Sequence, residues 1–396
     1  MPSILFINRV YPPDDGATGR VLEYLCRGLV ARGWTVSVLV TAGGRSSAGL
    51  SIKDGVVIHR IGGAFSKKNL FLRALGYALM IPSFFFKSLF LPRADVVVTM
   101  TDPPMLLVIG PLIRLFKGSR LIHWAQDLYP EVAEELGVFP KGGIVARVLT
   151  MLSSSTMRAH DRTVAVGRCM RKRLLARGLR DDQIRVIPNT GVEQEIGEVP
   201  RGDLAFRDRN GLGDDFIIEY SGNMGRAHEF ETVLDAALKL RDQGESGILF
   251  LFVGNGPREE WLKNEVNRRT LDNVRFLPSQ PASNLGESLG AADLHLVTMR
   301  PQMEGLVVPS KFYGVMASAR PCLFVGPMES EVAQVIREFG VGEVIPPGES
   351  ARMVSVILSY RNSGERVLEE GLRARSCLQS QDAAELFLIT ASEMLE

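Results

Sequence analysis

Little in the chain fixes its biochemistry at a glance. Its 396 residues include four cysteines, Cys26, Cys169, Cys322 and Cys377. They are scattered without the paired spacing of a zinc site or a disulfide framework, so both are excluded and a reducing cytoplasm is expected. Net charge is nearly absent: 46 Lys and Arg against 45 Asp and Glu leave +1, which removes any global case for a nucleic-acid partner. The chain enters a strand-like apolar segment at once, lacking the basic and apolar regions of a signal peptide. Residues 66–93 are rich in Phe and Leu, but their uncharged core, residues 74–86, is shorter than the about 20 residues a bilayer crossing needs, and Pro82 interrupts it. Neither a Gly-x-Gly-x-x-Gly fingerprint nor a Gly-Lys-Ser/Thr P-loop occurs, which disfavours a nicotinamide cofactor and a nucleoside triphosphatase.

What is present is an ordinary globular composition, 45% apolar and 23% charged, in a chain longer than one core usually serves. Two domains are expected. Residues 4–7, a loop of turn formers at 11–19, a helix carrying Val21, Leu22, Leu25, Leu29 and Val30, and a strand at 35–40 read as β-loop-α-β with a parallel-sheet signature. Further strands are expected at 94–99, 120–124, 163–166 and 185–187. Residues 193–215 read as the interdomain linker. A second alternation follows, with strands at 216–220, 248–253, 274–277, 293–297, 321–325 and 344–346, and the chain ends in a helix from residue 383. Residues 66–93, flanked by Lys67, Lys68, Arg73, Lys87 and Arg93, fit either a helix pair packed on the sheet or a surface lying on anionic lipid.

Candidate chemistry gathers where strands end. Gly16, Ala17 and Thr18 stand at a helix start. His123, Gln126, Asp127 and Tyr129 follow the strand at 120–124, where His123 is more simply a core residue. Gly222, Asn223 and Gly225 form an open turn with Arg226, whose guanidinium suits phosphate oxygens. Asn255 and Gly256 form a loop against which a flat base can lie. The segment from Glu304 through Val308, Pro309, Ser310 and Lys311 reads as a strand-end loop feeding a helix, with Ser310 as N-cap and Lys311 in the first turn. A helix N-terminus beside a lysine suits a phosphate, and the Glu304 carboxylate suits sugar hydroxyls.

The motifs YPPDDGATGR, WAQDLYPE, VIPNTGV, YSGNMGR, FVGNGP, NVRFLP and EGLVVPSKFYGVMASARP, in this order, resemble the retaining GT-B glycosyltransferases of family four. The likeness is strongest to the branch that makes capsule, O-antigen and colanic-acid-type polysaccharides. The resemblance implies an α/β fold of two Rossmann-like domains with parallel sheets facing a central cleft. Residues 1–195 would bind the acceptor, residues 196–380 the nucleotide sugar, and the C-terminal helix at about 381–396 would cross back to the first domain. It implies a UDP-sugar donor, a polyprenyl-diphosphate-linked saccharide acceptor at the inner face of the cytoplasmic membrane, and no metal or other cofactor. Arg226 and Lys311 would neutralise the donor pyrophosphate, Glu304 would lie near the donor sugar and Asp127 would assist positioning. Gly16, Ala17, Thr18, Gly222, Asn223, Gly225, Asn255, Gly256, Val308, Pro309, Ser310 and Gly314 would line the donor, and Gln126, His123 and Tyr129 the acceptor. The chain departs from the family at Gly314, where a ribose-binding glutamate is common, and at His228, near the place of a second phosphate-binding lysine. A UDP-sugar 2-epimerase and a non-catalytic subunit of an assembly complex remain as alternatives.

Overall fold

The computed structural model describes residues 1–14, 16–62, 70–191, 205–281, 284–380 and 382–396. The chain divides into two compact units, Met1–Val192 with Gly305–Val307 and Asp382–Glu396, and Glu193–Glu304 with Val308–Gln381. Gly305–Val307 thus joins the first unit, although the sequence placed the whole loop in the second. The expected boundary at 195/196 falls outside the described residues.

The first unit is built on an eight-stranded sheet. Its strands are β1 (Ser3–Ile7), β2 (Thr35–Thr41), β3 (Gly49–Lys53), β4 (Val56–Ile61), β5 (Val96–Thr99), β6 (Arg120–Ala125), β7 (Arg162–Ala165) and β8 (Ile184–Val186). Their order is β3-β4-β2-β1-β5-β6-β7-β8, and all neighbours run parallel except β3 and β4, an antiparallel pair. The sequence reading missed this hairpin. Its signal was Asp54-Gly55, which takes φ 51 and 78 at the turn, the left-handed pair a two-residue hairpin requires. Alternate residues of the buried strands serve opposite faces. Leu5, Ile7, Val97 and Leu121 pack with Met80, Phe84, Ile109 and Ile113 on one side. On the other, Phe6 and Trp124 meet Phe387 of the C-terminal helix Ala383–Ser392 at ring separations of 5.7 and 5.3 Å. Arg32 fastens that helix through Asp382 and Glu385 at 2.6 and 2.9 Å. Within residues 66–93, Leu70–Leu89 form one helix, not the pair of the sheet-packing alternative; Lys67 and Lys68 fall outside the described residues.

The second unit carries β9 (Phe216–Ser221), β10 (Ile248–Val253), β11 (Val274–Leu277), β12 (Leu294–Thr298), β13 (Cys322–Val325) and β14 (Gly342–Ile345). They form a wholly parallel sheet in the order β11-β10-β9-β12-β13-β14. Its core runs from Tyr220, Phe230 and Phe252 to Ile357 and Tyr360. The segment read as linker is shorter than expected. Ala205–Asn210 is helical, and Phe206 and Leu212 are buried in a core of the second unit.

Both sheets are doubly wound, so each has one point where successive strands add on opposite sides. In the first unit that point lies between β1 and β5, and in the second between β9 and β12. Crevices outside the carboxyl ends of strands at such points are where open α/β sheets hold ligands.

Candidate functional site

In the second unit the crevice is open for a local reason. The β9–β12 ladder pairs Ile218 with Leu294 and Glu219 with His295 and goes no further, while β9 stays paired to β10 through Ser221. The turn after β9 folds over the gap. His228 donates from Nδ1 to the Thr298 carbonyl at 2.7 Å, and the Arg300 N–H donates to the Ala227 carbonyl at 2.9 Å. On its other flank this turn lies on the loop after β10, with Met224 N–H bonded to the Asn255 carbonyl at 2.7 Å. Only glycine fits there. A Cβ at Gly254 would lie 2.2 Å from the Gly222 carbonyl oxygen and one at Gly256 2.6 Å from the Met224 nitrogen, and both residues have positive φ. The buried Arg258 ties the same turn down, donating to the His228 carbonyl at 3.0 Å and to Glu231 at 2.7 Å.

Lys311 reaches into this crevice from the loop after β12. Its Nζ stands 3.6 Å from the centroid of the Tyr220 ring and donates to the Tyr220 hydroxyl. That hydroxyl in turn donates to the Asn223 carbonyl at 2.7 Å. A Cβ on Gly222 would sit 3.8 Å from Nζ, so the lysine lies directly beside the glycine turn. Loss of water holds the Lys311 ammonium well below its usual pKa, and no carboxylate among the described residues compensates the charge. An arriving anion reverses that balance. His228 does not add a cation. Burial first, then the charge of Lys311, pull its imidazole down to about 3, so it is neutral. Arg226 is exposed on the same turn and makes no ion pair among the described residues.

The helix after the loop corrects one expectation. It runs only from Lys311 to Ala317, and Ser310 at its start has helical backbone angles and makes no side-chain capping bond. Phe312 and Tyr313 already donate to the Pro309 and Ser310 carbonyls at 3.1 Å each. An anion grip here would therefore rest on side chains, Lys311 and Arg226, rather than on the helix end. Glu304 is half-buried at the end of a 3-10 turn, Val308 and Ser310 are half-buried and Pro309 buried, and Gly314 is half-buried on the helix. No carboxylate stands at position 314.

In the first unit the crevice is closed by pairing. The Arg9 N–H donates to the Asp102 carbonyl at 2.6 Å, carrying the β1–β5 contact past the strands, and the Arg9 guanidinium meets the Asp102 carboxylate at 2.7 Å. Asp127, on the next strand end, is half-buried and forms a bridge with Val307, beside a Leu128 N–H to Leu306 carbonyl bond of 2.9 Å. Desolvation, then the Asp102 charge, raise the Asp127 carboxyl to about 6. Gln126 and Asn189 exchange amide bonds, one of 3.0 Å, so the Gln126 amide is engaged within the fold. Two buried polar atoms at the same strand ends, Asn8 Oδ1 and Thr101 Oγ1, have no partner among the described residues. Tyr129 is half-buried after β6. Gly16, Ala17 and Thr18 open the helix Ala17–Ala31 that follows β1.

His123 is corrected to a core residue. It is 0% exposed, its Nδ1 donates to the Thr99 carbonyl at 3.0 Å, and burial lowers it to about 3. Sequence reasoning missed Arg9, Asp102, Asn189, Tyr220 and Arg258. Asp102 was legible only as part of a turn before two prolines, and Tyr220 only as an apolar strand residue; their partners lie 93 and 91 residues away in sequence.

Comparisons agree with this geometry. Residues 16–190 match the glycosyl transferase 4-like domain, and residues 204–368 match glycosyl transferases group 1. WbjE of Pseudomonas aeruginosa, described as a glycosyltransferase, is 31% identical over 296 residues, 74% of this chain and 73% of that protein. WcaI of Escherichia coli K12, described as a colanic acid biosynthesis glycosyl transferase, is 28% identical over 62% of this chain and 61% of that protein. In fold, the chain resembles HepE of Anabaena in complex with UDP and glucose, with TM-score 0.72 and 15% identity over 99% of both chains. It also resembles the sucrose-phosphate synthase of Thermosynechococcus elongatus, with TM-score 0.78 and 16% identity over 100% of this chain and 99% of that one. The chain belongs to the glycosyltransferases of family four, with the two Rossmann-like domains of the GT-B fold.

Proposed function

We propose that the protein is a retaining glycosyltransferase that moves a sugar, N-acetylated or deoxy, from a UDP-sugar to a polyprenyl-diphosphate-linked saccharide in cell-surface polysaccharide biosynthesis. It would work in the cytoplasm, at the inner membrane surface. The observation that carries this reading is the uncompensated Lys311, held over Tyr220 beside the Gly222 turn at the switch point of the second sheet. The relatives support polysaccharide assembly as the setting, and the UDP complex of HepE supports a uridine nucleotide as donor.

Breaking the bond between sugar and diphosphate builds negative charge on the leaving oxygens. Lys311, desolvated over Tyr220, and Arg226, exposed on the neighbouring turn, neutralise that charge where it develops. Two side-chain cations take the role a metal ion often fills, so no metal is required. Glu304 accepts hydrogen bonds from donor-sugar hydroxyls, and the Asn255–Gly256 loop lies against the base. In the first unit, Asp127 accepts a hydrogen bond from the attacking acceptor hydroxyl, with Gln126 and Tyr129 beside it.

The test is transfer from UDP-sugars to a polyprenyl-diphosphate saccharide, with the anomeric configuration of the product read by NMR. Retained configuration, and activity unaffected by a chelator, are expected. Inverted product, or donor isomerised with no acceptor needed, would overturn the assignment.

A further inference from the structure

One helix of the first unit is inside out. In Ile144–Arg158, the residues turned inward include Ser153, Ser154 and Thr156, whereas Ile144, Val145, Val148, Met151 and Leu152 are exposed. That spacing, i, i+1, i+4, i+7 and i+8, is one continuous apolar stripe, and it faces water, with Ile144 at 83% exposure. The same inversion appears in part on two more helices. On Ile109–Lys117 the exposed side shows Leu112, Leu115 and Phe116. Leu70–Leu89 and the residue after it show Leu79, Phe86 and Phe90.

The three helices share one face of the sheet. Phe85 meets Phe116 at 6.0 Å between ring centroids, joining the first two. Arg114 donates to the Ala159 carbonyl at 3.0 Å, and His160 sits so close that a Cβ on Gly110 would lie 2.6 Å from its ring, joining the second to the third. Each helix carries two Arg or Lys and no Asp or Glu, in a chain that elsewhere balances its charges. Exposed Arg93 and Arg120 flank them. A broad apolar surface whose helices carry no acids, on which Asp161 pairs with Arg114 and Arg120 while Lys87, Arg93 and Arg147 are exposed, has the chemistry of an interface with anionic lipid, where apolar side chains enter the acyl boundary and cations meet headgroup phosphates. No helix among the described residues is long and apolar enough to cross a membrane.

We propose that this three-helix face docks the protein on an anionic bilayer, lying on it without spanning it. Helix Ile144–Arg158, which lies outside the Phe-rich segment at residues 66–93, is one of the three. The proposal rests on the lipid-linked acceptor for its purpose: a docked first unit meets its acceptor at the membrane surface.

The test uses the full-length protein and vesicles of phosphatidylcholine with and without phosphatidylglycerol. Flotation with the anionic vesicles only is expected. Val148→Glu with Met151→Glu, and separately Phe116→Ser, should each lower the bound fraction about tenfold or more while circular dichroism stays unchanged. Transfer to a short water-soluble acceptor should be unaffected by these exposed substitutions. Failure of the wild-type protein to bind, or binding indifferent to both variants, would overturn the proposal. So would a lipid-free dimer that the same substitutions dissociate, because a second copy would then cover the face. If binding behaves as expected but no lipid-linked saccharide is ever extended, the acceptor reading fails and the docking surface stands.

Discussion

The two switch points solve the same geometric problem in opposite ways. In the first unit, the strand ends stay joined, backbone by Arg9 N–H to the Asp102 carbonyl and side chain by the 2.7 Å ion pair. In the second, the ladder stops at Glu219 and His295, and the space beyond is framed by glycine turns and entered by one lysine. In the first crevice Arg9 is matched to Asp102; in the second, Lys311 has no carboxylate partner among the described residues. A charge left uncompensated in a desolvated place raises the free energy of the empty site and lowers that of the site holding an anion. On the proposed function, the difference favours the second unit for the diphosphate and the first for a neutral polyol, received by Asp127.

The strongest way to break that contrast is to remove the lysine. Lys311→Ala should lower turnover by about 10²–10³-fold, the loss seen when one preorganised transition-state contact is deleted, with the thermal melt preserved. Arg226→Ala, exposed and further from Tyr220, should act in the same direction. Wild-type turnover in both would return the second crevice to the status of an ordinary strand end.

Asp127→Asn sharpens the other half. One charge-assisted hydrogen bond to the acceptor corresponds to about 10- to 100-fold in kcat/KM for acceptor, while donor binding should be unchanged. The pH profile gives a second reading. With its carboxyl at about 6, Asp127 accepts a hydrogen bond above that pH and loses the capacity as pH falls through it. The wild-type acid limb near 6 should therefore be missing from Asp127→Asn. A limb that persists in the variant would show that another group titrates there.

Much of this was legible in the residues, and the limit is physical. Glycine turns announce themselves locally, so the Gly222–Gly225 and Gly254–Gly256 loops and the loop ending at Lys311 stood out in the sequence. Long apolar runs made twelve of the fourteen strands legible in outline, and the two of the Asp54-Gly55 hairpin were missed although its signal is local. What the sequence concealed was partnership. Tyr220 reads as one more strand aromatic until Lys311 is laid on its ring, and Arg9 as an ordinary loop cation until Asp102 is brought to it. Burial was equally hidden, since His123 and Gln126 lie on a strand end that looks functional, whereas His123 is fully buried and the Gln126 amide is bonded to Asn189. Exposure was hidden as well: the apolar periodicity of Ile144–Arg158 reads as a core face and faces water.

Smaller effects separate structure from chemistry. Asn189→Ala leaves the buried Gln126 amide short of a partner and should cost about 1–3 kcal/mol of stability in urea denaturation, with the donor-side kinetics intact. Glu219, beneath the open crevice, is raised to about 8 by complete burial. A carboxyl protonated in the fold but ionised in the unfolded chain makes stability fall as pH rises from the ordinary glutamate range to about 8, and level off above it. Glu219→Gln should flatten that slope in thermal melts taken across this window.

The most direct measurement is calorimetric titration of UDP into the protein in buffers of different ionisation enthalpy. If Lys311 is held below its usual pKa until a diphosphate arrives, UDP binding takes up a proton at a pH between the lowered and the ordinary lysine range, and Lys311→Met binds more weakly without that uptake. UDP binding of equal strength and equal proton uptake in Lys311→Met would contradict the assignment of the second switch point as the diphosphate site.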